Sequence, residues 1–383
     1  MKKVYDVIIA GGGIIGCSIA YQQAKLGKQV LILEKRELCS EASSAAAGML
    51  GAQAEIDENL SMLKLALKSR AMFPDIIQEL EDLTGISIGL VNEGMIKIAW
   101  DDVEAEVLKK QVRFHKEWDG QVRWMAQAEI CEREPHLSRG LAGGMLIPND
   151  GQLIAPNLAR AFAVGAMARG AVVLEGTEIE DFIFDKESVE GVMTSKGSFY
   201  GETVIAAAGA WTGKLLKKAD LELPIFPVKG ECLSVIPEGP LIRSTIFSDS
   251  GGYLVPKKDG RLIIGATSYE NEFNPSVSFG GVRMLAERAY KLLPQLASAR
   301  WEKAWAGIRP QTGDGLPYIG WHPAYKGLFI AAGHYRNGIL LSPITGKMVS
   351  DSIEGTAAAE DKELYREFEI ERGLKKVQEG WIH

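Results

Sequence analysis

The stretch "DVIIAGGGIIG", Asp6 to Gly16, sets three consecutive glycines between two apolar runs. Val4–Ala10 is apolar and β-rich, as a buried parallel strand is. Ile14–Leu26 carries apolar residues at helical spacing and is followed by Gly27, a helix terminator. The glycines therefore fall at a strand-to-helix turn, where Gly11, Gly13 and Gly16 fit GxGxxG. The first permits the tight turn, the second lets backbone approach a pyrophosphate, and the third lets helix and strand pack closely. Free N–H groups and the positive dipole end of the helix then face the phosphates. A second strand, Gln29–Leu33, ends at Glu34, a carboxylate placed to accept hydrogen bonds from an adenosine ribose and to repel a 2′-phosphate. The pattern predicts an α/β dinucleotide-binding fold. It leaves NAD and FAD open, because both carry the same ADP half.

Composition narrows the partners. A chain of 383 residues exceeds one ordinary core, which points to two intertwined domains. The 46% hydrophobic and 24% charged content and the net charge of −7 are those of a folded soluble protein. No basic stripe is present, so nucleic acid is not expected as a partner. Cys17, Cys39, Cys131 and Cys232 lie far apart without a CxxC or Cys/His cluster, which predicts neither a disulfide framework nor a metal site and suits a reducing cytoplasm. Met1–Lys3 before an apolar run imitates a secretory signal, but Asp6 and the glycine triplet interrupt it. No apolar run reaches the roughly 20 residues of a membrane span, so no membrane partner is expected.

Of three further segments, the first is neutral and the two distant ones tip the reading to FAD. "CSEASSAAAGMLGAQAE", Cys39 to Glu55, offers Ser43, Ser44, the alanines 45–47 and Gly48, small enough for backbone to crowd a pyrophosphate or flavin. Read alone, it is equally a helix start with serine caps. "ETVIAAAGAWTGKLL", Glu202 to Leu216, returns the chain to the nucleotide sheet as strand, small-residue turn and helix. "GLFIAAGHYRNGILLSPITG", Gly327 to Gly346, repeats that scheme with a helix starting near Asn337 and Gly338. A helix N-terminus there suits a flavin pyrimidine edge, which becomes anionic on reduction.

These segments, with "PVKGECLSV" (227–235), "GGYLVP" (251–256), "RLIIGAT" (261–267), "WAGIRPQTGDGLPYIG" (305–320) and "AAGHYRNGILLSP" (331–343), resemble in collinear order the thiamine-pathway glycine oxidase branch of the D-amino-acid oxidase family of FAD flavoproteins. The resemblance implies a glutathione-reductase-type FAD-binding Rossmann domain from residues 1–85, 143–222 and 323–383. It implies a smaller α+β substrate domain with a mixed sheet from 86–142 and 223–322, and a homotetramer. The implied activity is oxidation of glycine, sarcosine and small D-amino acids by hydride transfer to the flavin. The imine then hydrolyses to an α-keto acid and ammonia while O2 becomes H2O2, or is itself used in thiazole synthesis. Such a step needs alignment more than acid or base chemistry, so no catalytic acid or base is expected.

The carboxylate clamp implied by the resemblance is Arg309, whose planar fork grips a carboxylate at two points. Its alternative is an interdomain ion pair. Tyr253 is implied as a hydroxyl donor to the same carboxylate, against packing as the alternative, and Arg336 as a second cation near substrate or flavin, against a structural ion pair. The implied cofactor residues begin with Gly11, Gly13, Ile14, Ile15, Gly16 and Glu34. They continue with Ser43, Ser44, Ala47, Gly48 and Met49, then Ile179, Ala208, Gly209 and Trp211. The last group is His334, Arg336, Asn337, Gly338, Ile339 and Leu340, with His334 read as packing. Gly51 and Ala54 border the implied entrance. Ser268 and Gly251 replace larger residues of the family and leave the ranking of amines open. Residues 240–340 contain no cysteine, so non-covalent FAD is expected. The competing functions are a D-amino-acid dehydrogenase or sarcosine oxidase of the same superfamily, and a flavin-binding module without turnover.

Overall fold

The computed structural model describes residues 4–57, 59–248 and 252–378, with side chains described to residue 374. The first sheet grows from β1 (Val4–Ala10), whose Val7, Ile8 and Ile9 are fully buried. Strand β2 (Val30–Leu33) lies parallel on one side of it. A two-stranded ribbon then joins β3 (Met49–Leu50) to β7 (Gly151–Gln152). Between them come β4 (Met95–Ala99), β5 (Arg123–Ala126) and β6 (Gly143–Ile147), which belong to the second sheet. Strand β8 (Val172–Leu174) extends the first sheet beyond β2. A meander of β9 (Ile179–Asp185), β10 (Ser188–Thr194) and β11 (Gly197–Ala206) returns to the other side of β1, which pairs parallel with β11.

The second sheet continues with β12 (Ile225–Ile236), β13 (Thr245–Ser248), β14 (Gly252–Pro256), β15 (Leu262–Gly265), β16 (Tyr269–Glu270) and β17 (Arg300–Thr312). It is nine-stranded and mixed, with the order β16-β12-β15-β14-β13-β4-β6-β5 and β17 paired to β12. Its one parallel pair in that order is β13 with β4. Finally β18 (Tyr318–Trp321) and β19 (Leu328–Ala332) form a hairpin, and β19 lies parallel to β11. The first sheet thus has the order β18-β19-β11-β1-β2-β8.

The helices Ile14–Lys25, Leu60–Thr84, Ala155–Ala168 and Gly338–Glu354 bury one face of the first sheet in a common apolar core. The meander and Leu215–Leu223 cover the other. Sheet membership departs from the expected division at two strands. Strand β6, placed by sequence with the cofactor segments, sits between β4 and β5, and Gly144 permits this because a Cβ there would come within 2.7 Å of the Lys97 carbonyl. Strand β18, placed with the substrate segments, joins the first sheet because its hairpin partner β19 is adjacent in the chain. Cys17 and Cys39, distant in sequence, meet with their sulfurs 4.0 Å apart, and both thiols donate to the Gly12 carbonyl. All four cysteines are free thiols. Among the described residues no helix is long and apolar enough to cross a membrane.

Candidate active site

A cleft of about 300 Å3 opens at the C-terminal ends of β1, β2, β11 and β19, where ligands bind in open parallel sheets. Its floor is the glycine turn. Gly11 has φ +111°, and a Cβ there would lie 2.5 Å from the Ala207 carbonyl oxygen. A Cβ on Gly16 would lie 2.0 Å from the carbonyl oxygen of Gly11, so that glycine sets how closely the helix packs on the turn. Gly13 differs: a Cβ there meets only Ser43 Oγ, at 3.3 Å, and Gly13 lines the cleft. Ser43 Oγ accepts the Ile14 N–H at 2.8 Å, a cap supplied from another segment. The Glu34 carboxylate spans the rim, its Oε2 accepting from Gly12 N at 2.7 Å and its Oε1 from Arg36 N at 2.8 Å.

Of the predicted cofactor residues, Gly11, Gly13, Ile14, Ile15, Glu34 and Ser43 line this cleft from the N-terminal segment. Ile179, Ala208, Gly209 and Trp211 line it from the middle of the chain, and His334, Arg336, Gly338 and Ile339 from the end. Gly16 backs the turn, while Ser44, Asn337 and Leu340 lie outside the lining; Leu340 is core. Ala47, Gly48 and Met49 line a second, smaller cavity instead. His334 is buried with Nε2 3.0 Å from Thr345 Oγ1, and burial pushes its pKa down to about 3, which keeps the ring neutral at working pH. Lys35 and Thr177 also line the cleft and carry no motif that marks them in the sequence, and Pro310 lines it beside Arg309.

The second cavity, about 70 Å3, adjoins the first and shares Ala42, Ala46, Tyr335, Arg336 and Ile339 with it. It brings together Arg309, Tyr253 and Arg336. Arg309, on β17, lies across β12 over Gly230, where a Cβ would stand 2.1 Å from a guanidinium nitrogen. Its Nη1 donates to the Thr267 carbonyl at 3.3 Å, and among the described residues no carboxylate lies within ion-pair distance of it. Arg336 is engaged: its Nε is 2.6 Å from Glu55 Oε2, and that carboxylate holds its pKa above the ordinary arginine value. Its guanidinium also lies over the Phe247 ring at 5.7 Å. Tyr253 is buried with its hydroxyl 3.4 Å from Cys232 Sγ, and burial raises its pKa well above 10, so the hydroxyl stays protonated. Burial also raises the Cys232 thiol.

Sequence reading missed Glu55, Gly230, Cys232 and Phe247. Their roles come from strand register and segment packing, which leave no local signature. Gly51 and Ala54 are buried beside Glu55 and line neither cavity. Ser268 is exposed, one residue past the carbonyl that Arg309 holds, and lines neither cavity. Gly251 lies outside the described residues.

The family described as FAD dependent oxidoreductase matches residues 6–352. The chain belongs to the FAD-dependent oxidoreductase family. It is 47% identical over 378 residues to a glycine oxidase of Geobacillus kaustophilus, covering 98% of this chain and 99% of that protein. The crystal structure of glycine oxidase from the same organism superposes with a TM-score of 0.91 at 48% identity, over 93% of this chain and 96% of that one. A bifunctional protein ThiO/ThiG of Trichormus variabilis is 35% identical over 353 residues, 91% of this chain and 52% of that protein. As an FAD-dependent oxidoreductase the chain takes FAD as cofactor, and the residues fit it: a turn without side chains for phosphates, a rim carboxylate for a ribose, and apolar Ile14, Ile15 and Ile339 around the cleft.

Proposed function

We propose that this chain is a glycine oxidase acting on small amino acids, with Arg309 as the seat of the substrate carboxylate. The observation that carries the reading is a cationic fork without a carboxylate partner among the described residues, in a cavity of about 70 Å3 that adjoins the cofactor cleft. A partly buried guanidinium calls for an anion, and the space suits a molecule of a few heavy atoms such as glycine, sarcosine or D-alanine. Arg309 grips both carboxylate oxygens, and Tyr253 donates its hydroxyl to the same group. Arg336, neutralised by Glu55, closes the far side.

FAD, when bound, supplies the two-electron acceptor. The protein's task is alignment: the substrate carboxylate is fixed, and among the described residues lining the cavity the carboxylate, Glu55, is engaged by Arg336 while the Tyr253 hydroxyl holds its proton. Glycine and O2 give the imine and H2O2; water then converts the imine to glyoxylate and ammonia. The ThiO/ThiG relative supports a place for that imine in thiazole synthesis. FAD is held without a covalent bond, supported by the raised pKa of Cys232, which disfavours the nucleophilic thiolate. The cofactor residues are those named above, in a domain built on the first sheet, with the substrate domain on the second. A cytoplasmic homotetramer is part of the same reading, supported by apolar surface such as Phe279, 87% exposed, and half-exposed Trp301.

The test is anaerobic addition of glycine, sarcosine and D-alanine to FAD-loaded protein. Bleaching of the flavin followed by rapid return of its colour in air, with one H2O2 per amine consumed, is the expected result. Slow reoxidation marks a dehydrogenase, and colour unchanged by every amine removes the catalytic reading.

A further inference from the structure

The segment Ala42–Gly48 forms the partition between the two cavities. Ala42 and Ala46 line both, Ser43 lines the larger, and Ala45, Ala47 and Gly48 line the smaller. Its position therefore sets how the two cavities lie against each other. Two residues of the second sheet reach over to it. Lys257 Nζ donates to the carbonyls of Ala47 and Leu153 and to Gln152 Oε1, the last two at 2.7 and 2.6 Å. Trp305 Nε1 donates to the Ala45 carbonyl at 2.9 Å.

Their spacing is the informative part. Lys257 follows Tyr253 by four residues along and just past β14, and Trp305 precedes Arg309 by four along β17. An even separation on a strand puts both side chains of each pair on one face. Tyr253, Val255 and Cys232 do share an apolar cluster with Ala47, and Trp305 packs against it. Each strand thus carries one residue for the substrate and one for the partition. Lys257 is buried and its three partners are all acceptors, an oxygen for each N–H of the protonated amine, which offsets a burial that pulls its pKa down to about 7. A side chain that cannot donate leaves those three oxygens without this donor. Gly48, at φ +80°, lets the segment press against the Leu153 carbonyl, where a Cβ would stand at 2.1 Å.

We propose that Lys257 and Trp305 are positioning residues that pin the carbonyls of Ala47 and Ala45 and so hold the cofactor-facing partition in register with Arg309 and Tyr253. This rests on the glycine oxidase reading for its kinetic consequence, though not for its effect on FAD affinity.

Holoenzyme variants Lys257→Met and Trp305→Phe test it, with Lys257→Arg as the conservative control. The expected result at saturating FAD is a loss of about tenfold or more in the rate of anaerobic flavin reduction by glycine, because small misplacements cost that much. The dissociation constant of acetate, read from the perturbed flavin spectrum, stays within about threefold because Arg309 remains. The FAD dissociation constant of the apoprotein rises in both variants, and Lys257→Arg recovers part of each loss. Reduction rates and FAD affinities within about twofold of the parent in both variants overturn the proposal. So does a rate loss matched by an equal loss of acetate binding. If Lys257→Met does not fold, Trp305→Phe decides alone. If the parent itself is not reduced by any amine, the glycine oxidase reading has failed, and FAD affinity alone then judges the pinning.

Discussion

The two adjoining cavities are made of different material. The larger cleft is shaped by backbone and by the lack of side chains: Gly11 and Gly16 are fixed by carbonyls 2.5 and 2.0 Å from where a Cβ would stand. The smaller is shaped by long side chains, Arg309, Arg336, Tyr253 and Glu55, that reach it from separate segments. A site of the first kind is held by the fold itself and fails together with it. One of the second kind loses function residue by residue while the fold remains.

The sharpest way to break that contrast lies within the glycine turn. Gly16→Ala forces a Cβ onto the Gly11 carbonyl and is expected to cost on the order of 4 kcal/mol or more of apoprotein stability in urea unfolding. Gly13→Ala has only Ser43 Oγ to meet at 3.3 Å, so the apoprotein stays folded while FAD affinity falls by about 1–3 kcal/mol in a titration. Equal stability losses in the two would show that the turn does not separate packing from ligand approach.

Next in size is Arg309→Ala, expected to lower kcat/KM for glycine by about 2–4 kcal/mol in free energy with FAD content unchanged. Gly230→Ala places a Cβ 2.1 Å from the same guanidinium and is expected to act in the same direction. Parallel loss of FAD in either variant would make Arg309 part of the scaffold.

The smallest effect uses pH. His334 lines the larger cleft with its pKa pushed from 6.5 to about 3 by burial, so the unfolded chain binds a proton that the folded one refuses. Stability is therefore full above pH 6.5 and is lost as pH falls towards 3, by about 2 kcal/mol at pH 5. His334→Gln is expected to flatten that acid limb in urea midpoints measured between pH 7.5 and 5. Buried His115, pushed down to about 4 and with neither ring nitrogen hydrogen-bonded among the described residues, contributes a limb of the same sign. An unchanged slope in His334→Gln would mean that the ring accepts a proton in the folded state.

What the sequence disclosed follows the same contrast. The turn, the helix after it and the carboxylate at Glu34 are local consequences of backbone geometry, and glycine at fixed spacing is itself the signal. Ser43 capping Ile14 from 29 residues away has no such signal, because the contact exists only once two segments have packed. Arg309, Tyr253 and Arg336 were legible as candidates only through resemblance, and their distinction was not: Glu55 claims Arg336 and leaves Arg309 open. The sheets to which β6 and β18 belong have no local signal for a related reason, since an apolar strand does not state which neighbour it will find.

The parallel pairing of β1 with β11, and of β11 with β19, also orders events in time. A ribosome delivers the phosphate-binding turn first and the strand that completes its cradle only after most of the polypeptide has emerged. Sequence-distant pairings of this kind form slowly, and domains mature as units during synthesis. The cradle around the glycine fingerprint is accordingly closed by one of the last strands to be made, and a nascent chain stalled before Leu328 carries the fingerprint without it.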